Sequence, residues 1–408
     1  MGQSPLSSDC SEQASGLPFL QGNAEFGEKH PEPRLFCEQP PKRCTEGDIL
    51  LSVRAPVGAI NVANQAYGLG RGLCALRART NVIAPDYLRY TLFASIPLLQ
   101  AQATGSTYDA VALHDVGQLL VPFVSSPREQ RAIADFLDRK TKKIDALVAK
   151  KERLIELLKE KRTALISRAV TKGLNSDAPM KDSGVEWLGS IPAHWNALPL
   201  RRGLLRIEQG WSPECENRLA DDGEWGVLKA GCVNHGEFAP DEHKALPSGL
   251  MPQPRLEVRP GDLLMSRASG STELVGSVAC VTQCRARLML SDKVFRLHAD
   301  PRRANAEYLT LAMNSRAVRA QIESVLSGSV GLARNIGQST IRELAVCFPP
   351  LDEQRTIVRD LEADAGPTRI LVGKVVQAIE RLREYRSALI TSAVTGQIDV
   401  REYAKEAN

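Results

Sequence analysis

The sequence lacks the features that mark most enzymes and membrane proteins. In its 408 residues no apolar run approaches the roughly 18 residues that a membrane span requires, and the first twenty residues have no apolar core like that of a signal peptide. It contains no glycine-rich loop ending in Gly-Lys followed by Ser or Thr, which argues against ATP hydrolysis by this chain. Its six histidines do not cluster with a candidate nucleophile or with paired carboxylates. We expect a cytoplasmic protein that works by recognition and not by catalysis.

The nine cysteines are scattered and odd in number, without the close spacing of a disulfide framework. That usage is typical of a reducing compartment. One group invites a metal interpretation, namely Cys232 and His235 in a C-x-x-H spacing, followed by Cys280 and Cys284. A tetrahedral zinc site needs four converging donors, and the second pair is separated by three residues in a region with strand character. The sequence therefore predicts ordinary thiols and no metal.

A stretch in the middle of the chain recurs at its C-terminal end. Residues 129–171 align with 353–395 without a gap, and 19 of the 43 pairs are identical. Both copies open on Glu-Gln-Arg, and they close on RTALISRAVT and RSALITSAVT. Weaker matches upstream pair EGDILLSVRA with PGDLLMSRAS, and PDYLRYTLFAS with AEYLTLAMNS. Such matching indicates a duplicated unit, in which a mixed globular segment precedes a long helix.

Each copy carries an apolar stripe typical of a coiled-coil helix. Positions recur with alternating steps of three and four residues, although two lysines interrupt the row in the first copy. Because packing of such a stripe supplies most of a helix's stability, each helix is predicted to pair with its duplicate. The alternative is two amphipathic helices buried in separate domains. The predicted seam includes Leu147, Leu154, Leu158, Leu165, Leu371, Val375, Leu382, Tyr385 and Leu389.

Proline and charge distinguish the two copies. Gly366 and Pro367 interrupt the second one, which predicts that its long helix begins at Pro367.

The two copies also differ in charge. Residues 128–172 hold 14 Lys and Arg against 7 Asp and Glu, whereas 352–394 hold 7 of each. A basic helix of this kind can face a polyanion such as DNA. The alternatives are a solvated helix face or a docking surface for an acidic protein.

The globular segments are predicted to be mixed α/β modules. Short apolar or alternating runs separated by glycine and proline are typical of strands, and acidic residues ahead of a 3.6-residue apolar pattern are typical of helices. The G-x-G within LGRG at 69–72 lacks the third glycine of a dinucleotide site, so it is predicted to be a turn. The predicted strands are 48–53, 73–76, 227–229, 263–266 and 294–297, and the predicted helices are 85–95 and 306–315.

Four motifs resemble the conserved regions of the specificity subunit of type I restriction-modification systems. They are SSPREQRAIADFLD, PPLDEQRTIVRDLE, RTALISRAVTKGL and MKDSGVEWLGSIPAHW, and the resemblance covers nearly the whole chain. It implies a first target-recognition domain at 1–126, a central conserved helical region at 127–175, a second target-recognition domain at 176–350 and a C-terminal conserved helical region at 351–408. The fold class that it implies is α/β (α+β) domains in two copies, joined by two long helices that form an antiparallel coiled coil.

The resemblance also implies a function and partners. Such subunits are non-catalytic: each target-recognition domain reads one half of a split double-stranded DNA target, and the coiled coil determines the length of the unread spacer. Two modification subunits dock on the conserved regions and methylate adenine with S-adenosylmethionine. Restriction subunits add translocation and cleavage, which depend on ATP and Mg²⁺. No cofactor is therefore expected in this chain itself.

Candidate DNA-contacting residues lie in loops that correspond between the two halves. Arg and Lys usually contact guanine, Asn and Gln usually contact adenine, and other polar groups contact phosphate. Each candidate can equally be a surface residue or an ion-pair partner. The small-residue loops can hold phosphate with backbone amides or can be simple turns. The candidates are Gln21, Asn23, Arg54 and Arg71 with the loop Gly105, Ser106 and Thr107, and Lys229, Asn234, Arg267 and Lys293 with the loop Gly328 and Ser329.

The two halves differ at their starts. MGQSP at the beginning of the chain aligns with 209–213, so the first half has no counterpart of 180–208, which includes an expected opening strand. We expect an open sheet edge there, with the true start upstream or an impaired first domain. Two other functions stay open at this point, namely a coiled-coil scaffold that binds protein and an inactive truncated subunit. A self-contained restriction-methylation enzyme is disfavoured because its cofactor and nuclease motifs are lacking.

Overall fold

A computed structural model of the chain describes residues 1–6, 9–102, 110–327 and 334–401. It is a mixed α/β structure with two very long helices, as the sequence predicts. By internal contacts the chain divides into a first unit, Met1–Arg153 with Val375–Asn408, and a second unit, Leu154–Lys374. The helices are α1 Pro85–Gln102, α2 Leu113–Gly117, α3 Pro127–Lys172, α4 Ala306–Met313, α5 Arg316–Ser327, α6 Gln338–Glu343 and α7 Leu351–Val394.

The strands are short and lie in several small sheets. Those of the first unit are β1 Cys10–Ser11, β2 Leu17–Leu20, β3 Leu35–Cys37, β4 Arg43–Cys44, β5 Ile49–Ser52, β6 Ile60–Val62, β7 Tyr67–Leu69 and β8 Leu73–Leu76. Those of the second unit are β9 Met180–Asp182, β10 Ser190–Pro192, β11 Asn196–Pro199, β12 Leu204–Gln209, β13 Gly226–Leu228, β14 His243–Ala245, β15 Leu263–Ser266, β16 Ala268–Ser269, β17 Val278–Cys280, β18 Leu288–Met289, β19 Val294–Ala299, β20 Arg334–Asn335 and β21 Ala345–Phe348. All five predicted strands and both predicted helices are confirmed within a few residues.

The repeat in the sequence corresponds to a repeat in one of the sheets. In the first unit β6, β5 and β8 are adjacent in that order, with Leu51 opposite Cys74. In the second unit β17, β15 and β19 are adjacent in the same way, with Met265 opposite Phe295. There a fourth strand, β12, pairs antiparallel with β19. Within the part of the chain that the structure describes, β8 is an end strand of its sheet, but Leu73 and Cys74 are buried and Gly2 N donates to Leu73 O (2.8 Å). The expected exposed apolar surface is therefore not observed at these two residues.

A duplicated buried glutamine fixes the start of each long helix. Gln130 is fully buried; its side-chain oxygen accepts from Ala84 N (2.7 Å), and its amide donates to Val82 O (3.0 Å) and Val124 O (2.7 Å). Gln354 is equally buried and repeats the arrangement in the second unit, with Asn305 N, Arg303 O and Pro349 O, each at 2.9 Å. The repeated Glu-Gln-Arg motif therefore has a structural role. Each glutamine gives three backbone groups a hydrogen-bond partner.

Within the first unit, the beginning of α3 packs against the end of α7, and the two segments run antiparallel. Arg386 Nε donates to Asp145 Oδ1 (2.9 Å), and Arg383 Nη2 donates to Glu152 Oε1 (2.9 Å). The later residue on α3, Glu152, pairs with the earlier residue on α7, Arg383, so the two helical segments run in opposite directions. Beneath these ion pairs lies a shared apolar cluster that includes Leu137, Ile144, Leu389 and Ile390. The predicted pairing of the helices is therefore present in this unit.

The predicted seam needs correction. Leu147, Leu154, Leu165, Leu371 and Tyr385 are 38–57% exposed, whereas Leu158, Val375, Leu382 and Leu389 are buried or half-buried. The observed rows of low exposure keep the same spacing in a different register. They comprise Leu137, Thr141, Ile144, Val148, Lys151, Ile155 and Leu158 on α3, and Leu361, Ala365, Thr368, Val372, Val375, Ile379, Leu382, Arg386, Leu389 and Ala393 on α7.

The register was missed because polar residues occupy part of the stripe. Thr141 and Arg386 are buried or half-buried in it, although their polarity argues against a seam position, and Lys151, which the prediction did include, is half-buried there as well. The predicted break at Pro367 is also wrong, because α7 is continuous through that residue. Pro367 lies on the exposed side of the helix, where the ring meets solvent. The single hydrogen bond that proline removes is not enough to end a helix of 44 residues.

Candidate nucleic-acid interface

The first unit gathers three of its four candidate side chains around one turn. This turn, 70–73, connects β7 to β8, and Leu73 N donates to Gly70 O (3.1 Å). Gln21 follows β2 and lies against the turn, where Gly70 N donates to Leu20 O (2.7 Å). Val53 N donates to Gly72 O (2.9 Å), which brings the neighbouring Arg54 to the same place. The turn predicted from LGRG is confirmed, and Gln21, Arg54 and Arg71 are exposed.

Asn23 lies beside this group and is half-buried at the start of a short 3₁₀-helix, Asn23–Glu25. The backbone N–H of Gly22 donates to Glu25 Oε2 (3.2 Å), which fixes the beginning of that helix. Asn23 is therefore held next to Gln21 by local structure. Its side chain is less accessible to a large ligand than those of Gln21, Arg54 and Arg71.

The second unit brings Arg267 and Lys293 together in the equivalent place. Arg267 N donates to Lys293 O (2.8 Å), and Arg267 Nη1 donates to Asp292 O (3.4 Å). The guanidinium of Arg267 also lies over the ring of Phe295, 5.9 Å from its centre, in a cation–π contact. Lys293 is exposed and pairs with Asp292 (3.2 Å). Two cationic side chains are thus held at one turn, 291–294.

Lys229 and Asn234 lie apart from that turn, at a kinked 3₁₀-helix, Ala230–Gly236. Lys229 is half-buried and its ammonium lies 3.7 Å from Glu242 Oε2. Asn234 is half-buried near the kink, where His235 adopts a positive φ of 60°. The loops Gly105 to Thr107 and Gly328 to Ser329 lie outside the described residues, so their predicted phosphate contacts stay predictions.

Burial raises the pKa of all three cysteines in the group that suggested zinc. Burial raises the pKa of Cys232 to about 12 and that of Cys280 to about 11, so both keep their protons at neutral pH. In the described ranges, no group of three or more His, Cys, Asp and Glu side chains is arranged to hold a metal. Across those same ranges, no helix is long and apolar enough to cross a membrane.

Three residues that sequence reasoning missed support the two turns. Ser4 Oγ accepts from Arg71 N (3.5 Å) in the first unit, and Ser212 Oγ accepts from Asp292 N (3.1 Å) in the second. Asp292 itself contacts Ser212 and Lys293. The signal was available in the alignment of MGQSP with QGWSP, since the serine occurs in both halves.

An ion pair between a buried aspartate, Asp48, and an exposed arginine, Arg77, joins the ends of β5 and β8 that lie away from the turn. Asp48 accepts from Arg77 Nε (2.7 Å) and Nη2 (2.8 Å), and from Thr45 N (2.8 Å). Burial alone would raise the pKa of Asp48, but the hydrogen bonds from Arg77 and Thr45 outweigh it and lower the pKa below its ordinary value. A carboxyl with a lowered pKa stabilises the folded state above its unfolded pKa, and this contribution is lost as the pH falls through the folded value.

We expect Asp48→Asn to destabilise the first unit by about 1–2 kcal/mol at pH 7, because charge-assisted bonds from Arg77 become weaker. The difference from the wild type should shrink below about pH 4, the ordinary range of an aspartate, since the wild type is then losing the same charge. Urea unfolding at pH 7 and pH 3 measures both. Asp135→Asn, at an exposed position on α3, is the control. A difference that does not depend on pH would contradict the assignment.

Comparisons with known proteins agree on one family. Residues 35–157 match the family model described as the type I restriction modification DNA specificity domain. The chain is 28% identical over 210 residues to the type I restriction enzyme EcoEI specificity subunit of Escherichia coli, covering 51% of this chain and 35% of that one. It is 34% identical over 165 residues to the putative type I restriction enzyme MjaX specificity subunit of Methanocaldococcus jannaschii, covering 39% of each. The chain thus matches well under half the length of these two relatives.

One solved structure shows the same fold over nearly the whole chain. It is a chain from work described as the structural basis underlying complex assembly and conformational transition of the type I R-M system. The TM-score is 0.65 at 17% identity, and the match covers 94% of this chain and 92% of that chain.

Proposed function

We propose that this chain, which is related to the specificity subunits of type I restriction-modification systems, is the non-catalytic subunit that reads the DNA target. Each of its two units would read one half of a split sequence in double-stranded DNA. The observation that carries the proposal is the duplicated turn, because each unit gathers two cationic side chains around it, Arg54 and Arg71 in the first and Arg267 and Lys293 in the second. Side chains of those types are the ones that contact base edges and phosphates.

The long helices support the rest of the proposal. Most basic side chains of α3 are exposed, which suits a helix that faces a polyanion. Leu147, Leu154, Leu157 and Leu165 on the same helix are 38–47% exposed, an unusual run of apolar surface. We propose that modification and restriction subunits dock on α3 and α7, which act as an antiparallel coiled coil between two half-site readers. Adenine methylation with S-adenosylmethionine and the ATP- and Mg²⁺-dependent steps would take place in those partners.

The test is to co-express the chain with its cognate modification subunit and to map methylated adenines across the host genome by single-molecule sequencing. The expected result is a motif of two short half-sites with a fixed unread gap. A stable complex that methylates no such motif would refute the proposal. Co-expression with the modification subunit alone is sufficient, because methylation does not require the restriction subunits.

We also expect the affinity of the complex for a duplex containing the motif to depend strongly on salt. Neutralising phosphates with Lys and Arg releases counterions, so raising the salt from 50 to 200 mM should weaken binding on the order of 100-fold or more. Fluorescence anisotropy with a labelled duplex measures this, with a scrambled duplex as control. Binding that does not change with salt would favour the alternative, a scaffold that binds protein.

A further inference from the structure

We infer that the duplicated turn, 70–73 in the first unit and 291–294 in the second, determines which bases each unit reads. Its specificity-determining residues are Arg71 in the first unit and the pair Asp292 and Lys293 in the second. This inference rests on the proposed function and deepens it, because it assigns the reading of each half-site to one defined element.

The backbone of the turn is the same in both units. Four hydrogen bonds fix it: one across the turn, one from the end of the neighbouring strand, one to a serine hydroxyl, and one to the strand that precedes the turn. In the first unit they are Leu73 N to Gly70 O (3.1 Å), Val53 N to Gly72 O (2.9 Å), Arg71 N to Ser4 Oγ (3.5 Å) and Gln3 N to Leu69 O (2.8 Å). In the second they are Val294 N to Ser291 O (3.2 Å), Arg267 N to Lys293 O (2.8 Å), Asp292 N to Ser212 Oγ (3.1 Å) and Trp211 N to Leu290 O (3.0 Å).

The side chains on this shared backbone are different. The first turn carries Arg71 and Gly72 at the positions where the second carries Asp292 and Lys293. A protein that recognises two different half-sites needs an unchanged backbone with different side chains. The backbone places the turn against the DNA, and the side chains contact the bases. A turn that served only the fold would need no such change of charge on an unchanged set of hydrogen bonds.

In the first unit, close packing leaves Arg71 as the group that can reach outward. A Cβ added at Gly72 would lie 2.8 Å from Gln21 O, and one added at Gly70 would lie 2.9 Å from Gln21 Cα. Both flanking positions therefore exclude a side chain, and Arg71 itself is exposed. An arginine on a fixed backbone suits bidentate contact with O6 and N7 of guanine in the major groove.

In the second unit a network holds the two determinants in place. Asp292 bonds to Ser212 and to the ammonium of Lys293 (3.2 Å), and its carbonyl accepts from Arg267 Nη1 (3.4 Å) and Gln209 Nε2 (3.3 Å). Burial would raise the pKa of Asp292, but the bonds from Ser212 and Lys293 outweigh it and lower the pKa, so the side chain is a carboxylate. A carboxylate can accept from N4 of cytosine, and Lys293 beside it can donate to guanine. The two side chains together suit a base pair of guanine and cytosine.

The test uses substitutions that remove the charge and keep a polar side chain, in the complex with the modification subunit. Arg71→Gln should change one position of the first half-site, where discrimination between the preferred and the other base pairs falls about tenfold. Lys293→Gln should do the same in the second half-site only. Arg79→Gln, at an exposed arginine beyond β8, is the control and should leave the motif unchanged. The readout is the ratio of methylation at matched and singly mismatched sites.

The outcomes separate this inference from the function on which it rests. If the wild-type complex methylates no split motif, the proposed function fails and the inference fails with it. If the wild type methylates a split motif but Arg71→Gln and Lys293→Gln lower methylation equally at all sites, these side chains contact phosphate and the inference alone is overturned. Unchanged ratios in both variants overturn it as well. Arg71→Lys, which keeps the charge but not the bidentate geometry, should also relax the first half-site.

Discussion

Replacing Gln130 or Gln354 with leucine is expected to lower the free energy of unfolding of the unit that carries it by about 3 kcal/mol or more. Each substitution removes the side-chain partner of one backbone N–H and two carbonyls, most of them partly buried, and the loss of a partner at such a group costs about 1 kcal/mol or more. The glutamine and leucine side chains are similar in volume, so the substitution loses little packing. The effect should be confined to one unit, because each glutamine bonds only within its own.

Hydrogen exchange followed by mass spectrometry measures this for each unit separately. Faster exchange is expected in peptides of the first unit for Gln130→Leu and in those of the second for Gln354→Leu. Gln377→Leu, at an exposed position of α7, is the matched control and should change little. Equal loss in both units from a single substitution would contradict the local role of the glutamine.

Trp195→Ala is expected to destabilise the second unit by about 3–5 kcal/mol, the range found for large aromatic side chains removed from cores. Trp195 is fully buried in the main apolar cluster of that unit, and its indole N–H donates to Glu353 Oε2 (3.0 Å). Trp195→Phe keeps most of the ring and loses the hydrogen bond, so its cost should be smaller, about 1–2 kcal/mol.

Trp187→Ala provides the control in the same unit, since that tryptophan is 45% exposed. Its loss should cost well under 1 kcal/mol, the usual scale for surface substitutions. Urea unfolding followed by far-UV circular dichroism, together with exchange in peptides of the second unit, measures all three variants. If Trp187→Ala and Trp195→Ala cost the same, burial does not decide the effect and the explanation fails.

The sequence predicted the features that follow from repeated segments and from the local pattern of residue types. The duplication, the strands, the turn at 69–72 and the resemblance to type I specificity subunits are all confirmed. The sequence also placed Gln21, Arg54 and Arg71 in loops without showing that they meet. That meeting depends on hydrogen bonds between segments far apart in the chain, such as Val53 N to Gly72 O.

What the sequence did not predict depends on three-dimensional packing. Leu147 and Tyr385 have the right type and spacing for a seam but are exposed, while Thr141 and Arg386 lie in the stripe. Hydrophobicity alone cannot separate these cases, because a long polar side chain can bury its stem. Asp292 was missed for a related reason, since its importance comes from what surrounds the turn and not from any motif.

The division of the chain into units has a consequence for its synthesis. The second unit is one continuous stretch, Leu154–Lys374, whereas the first combines Met1–Arg153 with the last part of α7 and the residues that follow. The ribosome therefore delivers every part of the second unit before it delivers the last part of the first. Ile133 and Leu137 stay without Leu389, Ile390 and Val400, their partners in the core, until residues 389–400 have been translated. A nascent chain of this protein must keep that apolar surface from aggregating while the second unit folds.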